Sequence, residues 1–313
     1  MLNIAVIGVG GVGGYVGTKL AKRFSTGEEA GIYFIARGRH LEVIREKGLT
    51  LKSADAGKSG RITCRPVDAT DQISKLPEID IFIIAVKGYD LDNVARELKG
   101  AVHNDTVILP LLNGADIYER LREEITGGII LPGCIYISSH ISEPGVIEHT
   151  SKIAKIIFGR DPEHSEFVPE DLIRIFSEAS IDYDFKDDAS EAIWTKYIFI
   201  ASFALISACY NKTIGEILED GVLKERVIGI MEEIYLIAER KGIGLPDNII
   251  EDILKKASTF DYHTQTSLQR DISQNKRKNE LDIFGGTIIR LGERLGINTP
   301  ITAEIYRRLK PDR

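Results

Sequence analysis

The apolar run Leu2-Asn3-Ile4-Ala5-Val6-Ile7 passes without a break into Gly8-Val9-Gly10-Gly11-Val12-Gly13, and then into an amphipathic stretch over 12–24. As a bare string, G-x-G-x-x-G is weak. Held between a strand and a helix, it commits the chain to the opening turn of a dinucleotide-binding sheet. Gly8 permits the tight turn, Gly10 lets the backbone approach a pyrophosphate, and Gly13 lets the helix lie close to the strand. The free N–H groups of the first helical turn then face the phosphate charge. Gly8, Val9, Gly10, Gly11, Val12 and Gly13 are therefore expected to bind cofactor; the alternative is a glycine-rich turn without a ligand.

The pattern that follows extends this beginning. Short β-branched runs at 3–7, 33–36, 81–86, 107–109 and 129–138 alternate with helical periodicities at 12–24, 41–47, 91–98 and 117–124. Such alternation predicts a largely parallel sheet with helices on both faces. Further strand is expected near 146–148 and 153–158, and the charged run 182–188 marks the approach to a boundary. Beyond about residue 190 the periodicity is helical throughout, at 193–209, 222–240, 249–257, 281–295 and 302–309. The expected fold class is α/β, a Rossmann-type dinucleotide-binding domain over 1–186 followed by an all-helical domain over 187–313. A length of 313 residues suits two domains.

The end of the second strand selects the cofactor. An acidic residue there accepts from the 2′-hydroxyl of NAD, whereas an arginine suits the 2′-phosphate of NADP. Here the sequence reads Ile35-Ala36-Arg37-Gly38-Arg39. Arg37 offers a planar fork to phosphate, with Arg39 near enough to assist, so NADPH is favoured. A solvated surface arginine is the plainer alternative.

Charge and cysteine content exclude other classes. A net charge of −7 opposes nucleic-acid and anionic-membrane binding. The apolar run 198–209 is shorter than the roughly 20 residues a bilayer requires. Cys64, Cys134 and Cys209 form neither a disulfide framework nor a zinc pattern, and no motif supports a metal. With no charged leader before the first strand, a cytoplasmic, water-soluble protein is expected.

Several separate matches, in order, resemble the ketopantoate reductase (2-dehydropantoate 2-reductase) family. They are the glycine loop, Ala36-Arg37-Gly38, residues 41–51, Val86-Lys87, Leu112-Asn113-Gly114, Pro144-Gly145-Val146, Trp194-Thr195-Lys196, residues 267–271 and Glu280-Leu281-Asp282. The resemblance runs nearly end to end. It implies a Rossmann-type domain joined to a helical domain like that of 6-phosphogluconate dehydrogenase, and NADPH-dependent reduction of 2-dehydropantoate to (R)-pantoate for pantothenate and coenzyme A. It also implies Lys196 as general acid and Glu280 as its carboxylate partner on the substrate hydroxyl. Ser267 is implied at the substrate carboxylate, Asn113 and Lys87 at cofactor and substrate, and Ser139, where the family has threonine, near the cofactor. A homodimer is implied too.

Physical reading of these residues agrees with carbonyl reduction. Hydride delivery builds negative charge on the ketone oxygen, so the site needs a donor that stabilises and finally protonates it. Lys196 stands in an apolar helical stretch, where desolvation can bring an amine toward a useful range. The plainer readings are a lysine at a solvated helix start, Asn279 as an N-cap with Glu280 in the first turn, and His140 as an ordinary loop residue. Two departures bear on substrate. The family's asparagines one and two turns after the lysine are Ile200 and Ala204 here, on the lysine's own helix face, with Ser207 and Asn211 nearby. The segment 272–279 is about one residue longer than usual, with Asn279 where threonine is common. A different 2-oxo acid or a 3-hydroxy acid is therefore the alternative substrate, and a non-catalytic NADP-binding sensor the alternative from another class.

Overall fold

The computed structural model describes residues 1–54 and 60–310. It divides into two compact units, one of residues 1–112 and 117–189 and the other of Asn113–Asp116 with residues from Ser190 onward.

The first unit is built on a six-stranded sheet in the spatial order Asp68–Thr70, Ala30–Ile35, Leu2–Ile7, Ile81–Ile84, Val107–Pro110, Ile129–Ile130. Every neighbouring pair is parallel. In chain order this is 3-2-1-4-5-6, the doubly wound dinucleotide-binding arrangement. Ala30–Ile35 and Ile81–Ile84 are buried at every position. This is why they read as unbroken apolar runs rather than alternations. The chain reverses winding between Leu2–Ile7 and Ile81–Ile84, and ligands of open α/β sheets bind outside the strand ends at that point.

Two smaller sheets complete the unit. Ser139–Glu143 and Val146–His149 form an antiparallel hairpin, and the latter strand pairs in parallel with Leu49–Lys52, itself paired antiparallel with Arg61–Cys64. The third sheet sets Lys155–Gly159 between Asp182–Lys186, parallel, and Gly133–Tyr136, antiparallel. The single strand expected over 129–138 is thus two pieces in different sheets. Pro132, which cannot donate to a ladder, stands at the break. Asp182–Lys186 looks like charged linker but is a strand. Its Tyr183 and Phe185 rings lie 6.2 and 5.3 Å from that of Phe158.

The second unit is helical. Its axis is Ser190–Tyr210, 21 residues, surrounded by Gly221–Arg240, Ser267–Ser273 and Pro300–Leu309. This helix is long and apolar enough to cross a membrane by length and composition, yet 67% of the apolar window is buried inside the protein. It is apolar all round because it is enclosed. Asp220 caps Gly221–Arg240 by accepting from the N–H groups of Val222 and Leu223. The start of Pro300–Leu309 is capped from a distance, since the buried Glu233 carboxylate accepts from Ile301 N at 2.7 Å, Thr302 N at 3.0 Å and the Thr302 hydroxyl at 2.5 Å.

Candidate active site

In the first unit the glycine loop leaves Leu2–Ile7 and enters helix Gly11–Arg23. Gly8 has φ +89°, and a Cβ there would lie 2.8 Å from Val86 Cγ1. A Cβ on Gly13 would fall 2.2 Å from the Gly8 carbonyl oxygen, and one on Gly11 would fall 2.3 Å from that of Ser139. At Gly10 a Cβ would meet nothing within 4 Å among the described residues. The turn is closed where helix and strand touch and open where a ligand would approach. The helix carries no acidic residue in its first turn, so its positive end faces that opening uncompensated. The Ser139 hydroxyl, enclosed against Gly11, has no hydrogen-bond partner among the described residues. These features suit a dinucleotide phosphate, with Gly8–Gly13 and Ser139 to hold it.

The remaining first-unit candidates lie at strand ends. Arg37 follows Ala30–Ile35, is 59% exposed, and has its guanidinium 3.9 Å from Asp90. Arg39 is exposed and paired with Glu42 three residues on at 3.0 Å. Lys87, exposed, follows Ile81–Ile84 and opens the short turn Gly88–Asp90. His140 is an exposed strand residue 4.0 Å from Glu148. A residue not singled out in the sequence is His40, where burial lowers the imidazole pKa and the neutral ring accepts from Gly145 N at 3.0 Å.

In the second unit Lys196 is only 8% exposed, and its ammonium donates to Asn113 Oδ1 at 2.9 Å. These two predicted residues, 83 positions apart, are therefore in contact. Asn113 belongs to a tetrapeptide whose last member, Asp116, accepts from the Thr287 hydroxyl at 3.2 Å. Arg290 in turn donates to that hydroxyl at 3.2 Å. Glu280 is 3% exposed. The Leu281 N–H donates to the Asn279 side chain at 3.1 Å, the cap-like contact expected there. The helix that follows does not begin as an α-helix. Asp282–Gly286 is a π turn before Thr287–Leu295, a distortion frequent at functional sites.

Ser267 opens the short helix Ser267–Ser273 behind Thr266, its N-cap. Thr266 and Ser207 share a hydrogen bond of 2.6 Å, and Asn211 Oδ1 accepts from Gln269 at 3.3 Å. The two polar side chains near the end of the lysine's helix therefore serve the 266–269 turn. Ile200 is half-buried and Ala204 buried, so the stripe between Lys196 and Ser207 is hydrocarbon. Among the described residues no group of three or more His, Cys, Asp and Glu side chains could hold a metal.

The family model described as ketopantoate reductase PanE/ApbA matches residues 4–163, and its C-terminal counterpart matches residues 188–312. The chain is 27% identical over 310 residues to the uncharacterized oxidoreductase YkpB of Bacillus subtilis, covering 99% of this chain and 98% of that protein. It is 26% identical to the 2-dehydropantoate 2-reductase of Streptococcus pyogenes serotype M1, over 83% of each. A solved 2-dehydropantoate 2-reductase from Geobacter metallireducens superposes with TM-score 0.85 at 25% identity, covering 98% of this chain and 99% of that one. D-mandelate dehydrogenase, solved with NADH and anilino(oxo)acetate, shares the fold at TM-score 0.82 and 20% identity, over 98% and 97%.

Proposed function

The chain belongs to the ketopantoate reductase family, and from that premise we propose that it reduces 2-dehydropantoate to (R)-pantoate with NADPH, Lys196 supplying the proton. The family's chemistry is that of oxidoreductases acting on an alcohol–carbonyl pair, with a nicotinamide dinucleotide as cofactor. The single observation that carries the reading is the enclosed Lys196 ammonium held on Asn113 Oδ1 at 2.9 Å. An amide oxygen accepts but cannot take the proton away, so it aims the ammonium without discharging it.

A nicotinamide dinucleotide, when bound, would supply hydride to the carbonyl carbon. As charge builds on the carbonyl oxygen, Lys196 stabilises it by a charge-assisted hydrogen bond and then transfers a proton to give the alcohol. Glu280, buried in the same unit, is assigned to the substrate hydroxyl and to the lysine. Ser267 is assigned to the substrate carboxylate, while Lys87 and Asn113 meet cofactor and substrate. Arg37 reads the 2′-phosphate, and the alcohol would enter pantothenate synthesis.

The test follows NADPH absorbance with 2-dehydropantoate, with NADH and a Lys196→Ala variant in parallel. Turnover with NADPH, much weaker turnover with NADH, and a fall of about 10²–10⁴-fold in the variant are expected. NADPH binding without turnover would overturn the substrate assignment.

A second reading is supported by Ile200 and Ala204. A wall of hydrocarbon where amides would face a hydroxyl favours a 2-oxo acid with an apolar tail, such as an arylglyoxylate. D-mandelate dehydrogenase, by its name, acts on an aryl 2-hydroxy acid, the reduced counterpart of an arylglyoxylate. A kcat/KM for phenylglyoxylate above that for 2-dehydropantoate would select this reading, since a site offering no partner to a hydroxyl penalises burying one.

A further inference from the structure

The proposed active site rests on two segments distant in sequence, the Lys196 helix and the stretch beginning at Glu280. Something must hold them in register. The residue after Lys196 is Tyr197, 1% exposed and lying about 100° round the helix from the lysine. Its hydroxyl donates toward the carbonyl oxygens of Ile283 at 2.7 Å and Phe284 at 3.2 Å. Both carbonyls belong to the π turn Asp282–Gly286. That turn is tied back to Glu280, because Phe284 N donates to the Glu280 carbonyl at 3.1 Å.

We infer that Tyr197 is a positioning residue that holds Glu280 in place relative to Lys196 by anchoring the π turn to the lysine's own helix. In a π turn the hydrogen bonds run i to i+5, which displaces carbonyls from the α-helical ladder. A buried carbonyl left without a donor is costly. The Tyr197 hydroxyl arrives there on a ring steadied edge-on by Trp194, with centroids 6.3 Å apart. Burial keeps that hydroxyl protonated far above neutral pH, so it remains a donor through the working range. A parallel tie runs through the other partner of the lysine: Lys196 donates to Asn113, and Asp116 of the same tetrapeptide accepts from Thr287 just after the π turn. Lys196 and the Glu280 segment are thus linked on two sides, once through Tyr197 and once through residues 113–116.

The inference rests on the reading of Lys196 and Glu280 as reacting groups, and the test separates the two. Tyr197→Phe keeps the ring and removes the donor. Two readouts are taken on the full-length variant: kcat and KM with NADPH and the 2-oxo acid, and the pH dependence of Lys196 acylation by an amine reagent, quantified by peptide mass. We expect kcat to fall about tenfold, the scale of a sub-ångström misplacement. The Lys196 labelling midpoint is expected to move down by about half a pH unit as the carboxylate loses its fixed position. NADPH affinity, measured by cofactor fluorescence, should stay unchanged. A kcat within twofold of the parent together with an unmoved midpoint would overturn the role of Tyr197. Persistent turnover in Lys196→Ala would instead overturn the functional reading, and the labelling midpoint still reports on Tyr197 if no substrate is turned over.

Discussion

Arg37 has its guanidinium 3.9 Å from Asp90 and most of its side chain in solvent. At that separation the ion pair is loose, and exposed pairs of this kind contribute between nothing and about 1 kcal/mol. The fork can therefore leave Asp90 for a phosphate dianion, which offers it two charge-assisted hydrogen bonds. Arg37→Ala is expected to lower kcat/KM for NADPH by about 10- to 100-fold, the equivalent of one hydrogen bond to a charged group. The value for NADH, which has no 2′-phosphate, should change by less than about threefold on the same argument. Steady-state kinetics with both cofactors checks this, and an unchanged NADPH/NADH ratio would remove Arg37 from cofactor selection. The glycines beside it were legible from spacing alone, because their roles are local: Gly8 adopts φ +89° and Gly13 sits against the Gly8 carbonyl within one turn. The contact of Lys196 with Asn113 was not legible, since it joins residues 83 positions apart.

Elements show the same division between local and distant causes. The strands Ala30–Ile35 and Ile81–Ile84 announce themselves by composition, whereas the π turn Asp282–Gly286 has no periodic signature and is visible only once Tyr197 is seen to feed its carbonyls. Asp182–Lys186 hid its alternation beneath three charges, and its register is set by Lys155–Gly159. The neighbouring loop depends on one carboxylate. Asp161 is fully buried and accepts from the Tyr118 hydroxyl at 2.7 Å, His164 Nδ1 at 2.8 Å, Glu163 N at 3.0 Å and Ile130 N at 3.0 Å, with Arg122 alongside. Burial alone would raise its pKa, but the combined donors outweigh burial and hold the carboxyl below its ordinary value. A group depressed in the folded state stabilises above its unfolded pKa, and that contribution is lost as pH falls through the folded one. Stability should therefore decline below about pH 5. Asp161→Asn, which cannot titrate, should be less stable than the parent at neutral pH and show a shallower acid limb. Urea unfolding between pH 7 and pH 3 measures both, and parallel acid limbs in the two proteins would exclude Asp161 as the source.

At the scale of the whole chain, the candidate residues divide between the two units: the glycine loop, Arg37, Lys87 and Ser139 lie in one, and Asn113, Lys196, Glu280, Ser267 and Tyr197 in the other. A ligand that binds only the folded state stabilises it by RT ln(1 + [L]/Kd), about 2.7 kcal/mol at a hundredfold excess over Kd. For a unit of this size each kcal/mol moves the melting temperature by about 2–4 °C, so saturating NADPH should raise it by roughly 5–10 °C. Arg37→Ala should need more NADPH to reach the same shift, since its loss falls on the cofactor's phosphate. Tyr197→Phe should show the parent's full shift at the parent's concentration, because the donor it lacks serves the π turn after Glu280 and not the glycine loop. Calorimetry across a NADPH titration on all three proteins tests the division directly. A Tyr197→Phe protein that required more NADPH would mean that the π turn, like Asn113 of the same unit, helps to hold the cofactor.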